Sequence, residues 1–249
     1  VKFELQRLLK RDSFGRVELV RLSVSDEGGA AGTLAIRRVA CGGSLPGSAL
    51  VARLLLDREA RALERLGAAP TQDNVPRILE RRPDSLLREY VDGVPLSEAE
   101  ALPVDFFERL AELVGEVHAR GVCHNDLHKE QNVLVGTDGR PWLVDFQLAS
   151  VHQGDSRARR TRCREDLRHV EKHRRRYMRT GRGPAGLELD LSRVEPLERS
   201  LAARWWRRSV KPVYVFVTRR LLSTRDGEAR RRSDGPFPRW TPALGPRRR

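Results

Sequence analysis

One short polar stretch, His124-Asn125-Asp126-Leu127-His128-Lys129-Glu130-Gln131-Asn132, holds an acid and an amide six residues apart. A second acid, in Asp145-Phe146-Gln147, lies thirteen residues after Asn132. Two acids and an amide so spaced suit phosphoryl transfer from a metal–nucleotide complex. Asp126 is positioned to orient an attacking hydroxyl or accept its proton. Asn132 and Asp145 offer the hard oxygens that Mg²⁺ prefers, leaving its other positions to water and phosphate. The work asked of the chain is placement and charge neutralisation, with no covalent intermediate.

Those residues need elements to hold them. Asn132-Val133-Leu134-Val135 and the apolar run Trp142-Leu143-Val144 stand on either side of Thr137-Asp138-Gly139, which predicts a hairpin with polar residues at both mouths. Ahead of it, Phe106, Phe107, Leu110, Leu113, Val114 and Val117 share one side of a helix predicted over 104–120, and Gly121 ends it. Farther upstream, residues 3–22 read as two strands around a turn at 12–15, and 33–39 as a third. A helix is predicted over 48–66, then strands at 75–80 and 86–91, the second stopping at Asp92-Gly93. A further helix is predicted over 163–178 on a narrow stripe that includes Leu167 and Val170. The class is α+β.

The chain has 249 residues, 39% hydrophobic, with a formal net charge of +14. Residues 1–150 carry a net −3 and residues 151–249 a net +17, so the surplus lies wholly in the last part. Only five of the 48 basic residues are lysine, a skew that codon composition alone can produce. No apolar run reaches the roughly 18–20 residues of a membrane-spanning helix, and the start lacks the layout of a signal peptide. Cys41, Cys123 and Cys163 are far apart with no CxxC pair. That argues against a disulfide framework or a zinc site and fits a reducing cytosol. The segment 197–222, with Trp205, Trp206, Lys211, Tyr214 and Phe216 among arginines, suits an anionic membrane surface better than nucleic acid. Equally, its charges are those of a solvated face and its aromatics those of a core. Residues 223–249 have the composition of a disordered tail.

With these motifs in order along the chain, residues 8–150 resemble the protein-kinase superfamily. Ser13-Phe14-Gly15-Arg16-Val17 is similar to the end of the glycine-rich loop, and Leu34-Ala35-Ile36-Arg37 to the V-A-I-K strand. The resemblance places Gly15, Val17 and Ala35 around ATP and makes Arg37 the strand cation paired with Glu59 of the first helix. Glu64 competes for that pairing with a poorer local match. Glu89-Tyr90-Val91-Asp92-Gly93 resembles the hinge, where the Glu89 carbonyl and Val91 amide meet the adenine edge; Leu134 forms its floor. Asp126 takes the catalytic part, helped by Lys129 near the γ-phosphate, while Asn132 and Asp145 hold Mg²⁺. His124 has a packing role. The HNDLHKE block and short second half look most like bacterial lipopolysaccharide-core (Kdo) kinases and RIO-type kinases, and Asp-Leu-His also resembles aminoglycoside and choline phosphotransferases. The implied fold is two-lobed: a small β-rich nucleotide-binding lobe over 1–92, a reduced helical catalytic lobe over 93–222 and the tail over 223–249. The implied activity is transfer of the γ-phosphate of ATP to a hydroxyl of a sugar, glycolipid or protein, in the cytoplasm or on the inner face of a membrane.

The sequence also departs from that pattern. Arginine replaces the strand lysine, and its planar fork is not interchangeable with an ammonium. Lys10 and Asp12 stand where two loop glycines belong, Asn125 replaces the arginine before the aspartate, and Gln147 replaces the glycine after Asp-Phe. One extra residue separates Asp126 from Asn132 and has to be absorbed within 129–131. Arg38 is expected on the opposite strand face, in solvent. His169 and His173 stand four apart on a helix with Asp166 nearby, a spacing that usually marks ordinary helix-surface residues. These departures motivate an alternative: a pseudokinase that binds nucleotide as a scaffold.

Overall fold

In the computed structural model, residues 1–12, 14–23, 32–42, 47–68 and 74–179 are described. Both the basic aromatic segment 197–222 and the tail 223–249 lie outside them, so the expectations about a membrane or nucleic-acid surface fall there too. Among the described residues, no helix is long and apolar enough to cross a membrane.

Ten strands and three helices succeed one another in the described residues. β1 (Phe3–Asp12), β2 (Gly15–Leu22), β3 (Leu34–Ala40), β4 (Ile78–Arg81) and β5 (Ser85–Glu89) form an antiparallel sheet in the order β1-β2-β3-β5-β4. The helix α1 (Ser48–Gly67) lies against it, burying Ala52, Leu56, Ala60, Leu63 and Leu66. Gly15 is required by packing: a Cβ there would sit 2.2 Å from the carbonyl oxygen of Val39 on the neighbouring strand. This is the α+β architecture expected, with the sheet and α1 at the front of the chain.

The second half begins with β6 (Gly93–Pro95) and α2 (Phe106–Ala119). Short pairings then frame the polar loop and the hairpin. β7 (Val122–Cys123) pairs with β10 (Ser150–Val151), and β6 pairs with β8 (Val133–Gly136), which also pairs with β9 (Pro141–Leu143). Strands β6, β7 and β10 are too short to show a periodicity, and the sequence reading has no strand there. The helix α3 (Arg157–Arg179) starts six residues earlier than predicted. The core joins both halves: Leu56, Leu63, Leu66 and Leu86 pack in one cluster with Phe106, Phe107, Leu110, Val133, Val135, Leu143 and Phe146. Burying each such side chain stabilises by about 1.5–3 kcal/mol relative to exposure, so the sheet and the hairpin are held as one body over the residues between them.

Candidate active site

The helix α2 stops at Gly121, whose φ of 80° lies in the left-handed region. A Cβ there would meet the His152 carbonyl at 2.4 Å. After β7 the chain enters the polar loop. His124 is buried against Phe146, with ring centroids 4.6 Å apart, and its Nε2 is 3.0 Å from the Val144 carbonyl; this is the packing role expected. Asn125 adopts φ 65°, a conformation asparagine tolerates better than most side chains. Asp166 of α3 pins this turn, accepting the His124 amide at 2.8 Å and the Asn125 amide at 2.9 Å. The asparagine that replaces arginine thus has a backbone reason to be there.

Asp126 is only 3% exposed. Its Oδ2 accepts from Lys129 Nζ at 2.9 Å and from Asn132 Nδ2 at 3.1 Å, and its Oδ1 lies 3.0 Å from His128 Nδ1. Burial pushes the carboxyl pKa up, but His128 and Lys129 outweigh burial and hold it below the usual aspartate value. The extra residue of this loop is absorbed as a single 3-10 turn at Glu130–Asn132, anchored by Tyr177 and Arg176 of α3 on the Glu130 carboxylate at 2.9 and 2.7 Å.

Asp145 closes the site from the hairpin. The Val144 amide donates to the Asn132 carbonyl at 3.0 Å, which ties the two candidate metal ligands through the backbone. Asp145 has φ 64°, and its Oδ1 accepts from Gln147 Nε2 at 2.5 Å and lies 3.5 Å from Arg38 Nη1. Burial raises its pKa, yet Arg38, Gln147 and Lys129 together bring it below the usual value. Both acids are therefore carboxylates at neutral pH. Asn132 uses its amide nitrogen on Asp126, so its side-chain oxygen is the atom it can offer a cation. Carboxylate plus amide oxygen is a donor set that fits Mg²⁺.

Arg38, rather than Arg37, pairs with Glu59, which corrects the sequence reading. Arg38 Nη1 is 3.4 Å from Glu59 Oε2 and 3.5 Å from Asp145 Oδ1, with its side chain 13% exposed instead of solvated. Arg37 points to the other face, where it pairs with Glu18 at 3.0 Å and stacks 5.0 Å from the centroid of Phe3. Side chains alternate along a strand, so a motif matched one residue early moves every side chain to the wrong face. Ala35 goes with Arg37, buried with Val20 and Leu87 away from the α1 side, and the residue that shares the Arg38 face is the bulkier Ile36. Glu59 itself is where the sequence reading puts it, fully buried, whereas Glu64 pairs with Arg81 on the surface at 2.7 Å.

Val17 lies opposite Arg38 in the β2–β3 register and shares its face. Glu89 ends β5, and its carboxylate accepts the Arg77 amide at 3.1 Å. Val91 and Leu134 are both buried, Leu134 alternating with the core residues Val133 and Val135. Sequence reasoning missed Arg88, which lies opposite Ile36 and brings Nε within 3.3 Å of Glu59 Oε1. It also missed the anchoring role of Asp166, forty residues beyond Asp126. Neither carries a local motif. His173 is no ligand: it is buried, with Nε2 2.8 Å from the Leu127 carbonyl. Burial and nearby cations bring His169 down to about 4.

Residues 37–153 match the model of the phosphotransferase enzyme family. The match covers just under half of the chain, and the α+β architecture is consistent with a kinase-like fold. Over 101 residues it is 38% identical to a probable bifunctional tRNA threonylcarbamoyladenosine biosynthesis protein of Methanospirillum hungatei, covering 40% of this chain and 19% of that protein. It is 38% identical over 119 residues to a probable SapB synthase of Streptomyces coelicolor, covering 38% and 12%. A third relative is CBL-interacting protein kinase 4 of Oryza sativa subsp. japonica, 31% identical over 162 residues, covering 60% of this chain and 34% of the kinase. The chain thus spans at most about a third of these relatives' own lengths.

Proposed function

We propose that this kinase-like chain transfers the γ-phosphate of ATP to an acceptor hydroxyl. The observation that carries this reading is Asp126: buried, kept ionised by His128 and Lys129, and hydrogen-bonded to Asn132. A carboxylate in that state can orient a hydroxyl and take its proton as the bond to phosphorus forms. Lys129 stays beside it as the cation for the transferred group. Asn132 and Asp145 would hold Mg²⁺, whose charge would offset that of the phosphate oxygens. Arg38, braced by Glu59, faces the same region and is suited to the α- and β-phosphates. Val17, Val91 and Leu134, with the Glu89–Val91 backbone, receive the adenine, and Gly15 keeps β2 close to β3 above it. The acceptor class includes sugars, glycolipids and protein serine or threonine; the resemblance of the HNDLHKE block to Kdo kinases favours a glycolipid at a membrane.

The test is phosphate transfer from radiolabelled ATP with Mg²⁺ over sugars, core glycolipids and generic proteins. Wild type transfers label, and Asp126→Asn lowers the rate by about 10²–10⁴-fold, the usual contribution of a positioned base. A wild-type chain that neither transfers label nor binds ATP in a Mg²⁺-dependent way refutes the enzyme.

One observation favours a second reading. Arg38 and Gln147 both engage Asp145, so two donors compete with any cation for that carboxylate. A pseudokinase that binds nucleotide without turnover accounts for this. It predicts that ATP binding survives Asp126→Asn and that transfer is absent from the wild type.

A further inference from the structure

Behind the catalytic loop, three side chains from three elements converge: His118 in the last turn of α2, Cys123 at the end of β7 and Cys163 in α3. The two sulfurs are 3.5 Å apart, and the donor atoms of all three residues lie within 4.8 Å of one another. We propose that His118, Cys123 and Cys163 form a site for a thiophilic divalent cation, with Zn²⁺ the best match. The cysteines stand forty residues apart without a metal-binding spacing, which is why their sequence pattern speaks against such a site.

The distances suit the ion. Tetrahedral zinc, with bonds of about 2.3 Å to sulfur and 2.0–2.1 Å to nitrogen, holds its donors roughly 3.5–3.8 Å apart. The sulfurs are already at that spacing, and small side-chain rotations bring in the imidazole. A carboxylate stands behind the histidine: Asp166 Oδ2 is 3.1 Å from His118 Nε2. With Nδ1 as the ligating nitrogen, such a partner fixes the orientation of the imidazole and raises its basicity. Arg159 turns its guanidinium to the His118 carbonyl at 2.6 Å. Two thiolates balance the charge of the ion, and a water completes the shell on the side of half-buried Cys163. A disulfide between the same cysteines needs about 2.0 Å between sulfurs and makes no use of His118.

The position gives the ion a structural consequence. Asp166 also holds the amides of His124 and Asn125, so a cation here clamps α2, β7 and α3 directly behind Asp126. The site needs no nucleotide, and its test is independent of phosphate transfer.

The full chain, purified metal-free under a non-chelating reductant, is titrated with Co²⁺ and then Zn²⁺. The expected result is one equivalent of Co²⁺ with a thiolate charge-transfer band and tetrahedral d–d bands, displaced by Zn²⁺. Zn²⁺ also raises the melting temperature. Cys163→Ser, a conservative change whose fold is checked by circular dichroism, weakens binding at least about tenfold and removes the shift; His118→Gln does the same. Cobalt bands of octahedral type without charge transfer, or binding unchanged in Cys163→Ser, overturn the proposal. So does consumption of the two thiols by glutathione disulfide at the same rate with and without Zn²⁺.

Discussion

Replacing Arg38 by methionine keeps the length of the stem and removes the charge, so it isolates what the guanidinium does. Glu59 is fully buried and has two cationic neighbours, Arg38 at 3.4 Å and Arg88 at 3.3 Å. The Arg88 contact lacks hydrogen-bond alignment, since Glu59 Oε1 and Arg88 Nε both remain without a hydrogen-bond partner. Removing one partner of a buried pair costs about 3–5 kcal/mol, because the other charge is left desolvated. With Arg88 still nearby, the low end applies, about 3 kcal/mol. The matched control is Arg37→Met. Its side chain is 21% exposed, and Glu18 keeps Arg16 at 2.6 Å. That loss is about 1 kcal/mol for a part-exposed ion pair and the stacking on Phe3. Urea unfolding of the two variants is therefore expected to differ by about 2 kcal/mol, roughly thirtyfold in the folding equilibrium. Under the enzyme reading, Arg38→Met also weakens ATP binding while Arg37→Met leaves it near wild type. Equal destabilisation of the two variants, or a larger loss in Arg37→Met, refutes the assignment of Arg38 as the cation of Glu59.

The same geometry sets three more outcomes. Asp126 has a lowered pKa, so its ionised form contributes stability above the unfolded value near 3.8 that is lost as pH falls through the lower folded value; under the enzyme reading, kcat/KM shows no Asp126 inflection between pH 5 and 8, and Lys129→Met moves its acid limb upward because burial then meets less opposition. Gly15→Ala forces a Cβ onto the Val39 carbonyl, 2.2 Å away in the unrelaxed backbone, and lowers stability by about 1–3 kcal/mol in thermal melts with no nucleotide present. Asp166→Asn turns an amide donor toward one of the two backbone N–H groups that the carboxylate now accepts. It costs about 1–3 kcal/mol, and under the enzyme reading it lowers the rate of phosphate transfer with little change in ATP affinity, since the residue positions Asp126 from behind the loop.

Much of the site is legible in the chain itself. Asp126, Asn132 and Asp145 lie in a loop–hairpin whose polar and apolar residues are close in sequence, so spacing is enough to bring them together. Val144 and Asn132 meet across that hairpin as the pattern requires. Glu59 is recognisable because a helix with a clear apolar stripe carries it. Which arginine meets it is not, because two arginines stand side by side and a strand repeats every two residues; only the pairing of β3 with β2 and β5, and the side on which α1 packs, decides for Arg38. Arg88, Asp166 and the cluster of His118 with Cys123 and Cys163 are long-range contacts. No local window encodes them, since each depends on where α3 and β5 dock after the core has formed.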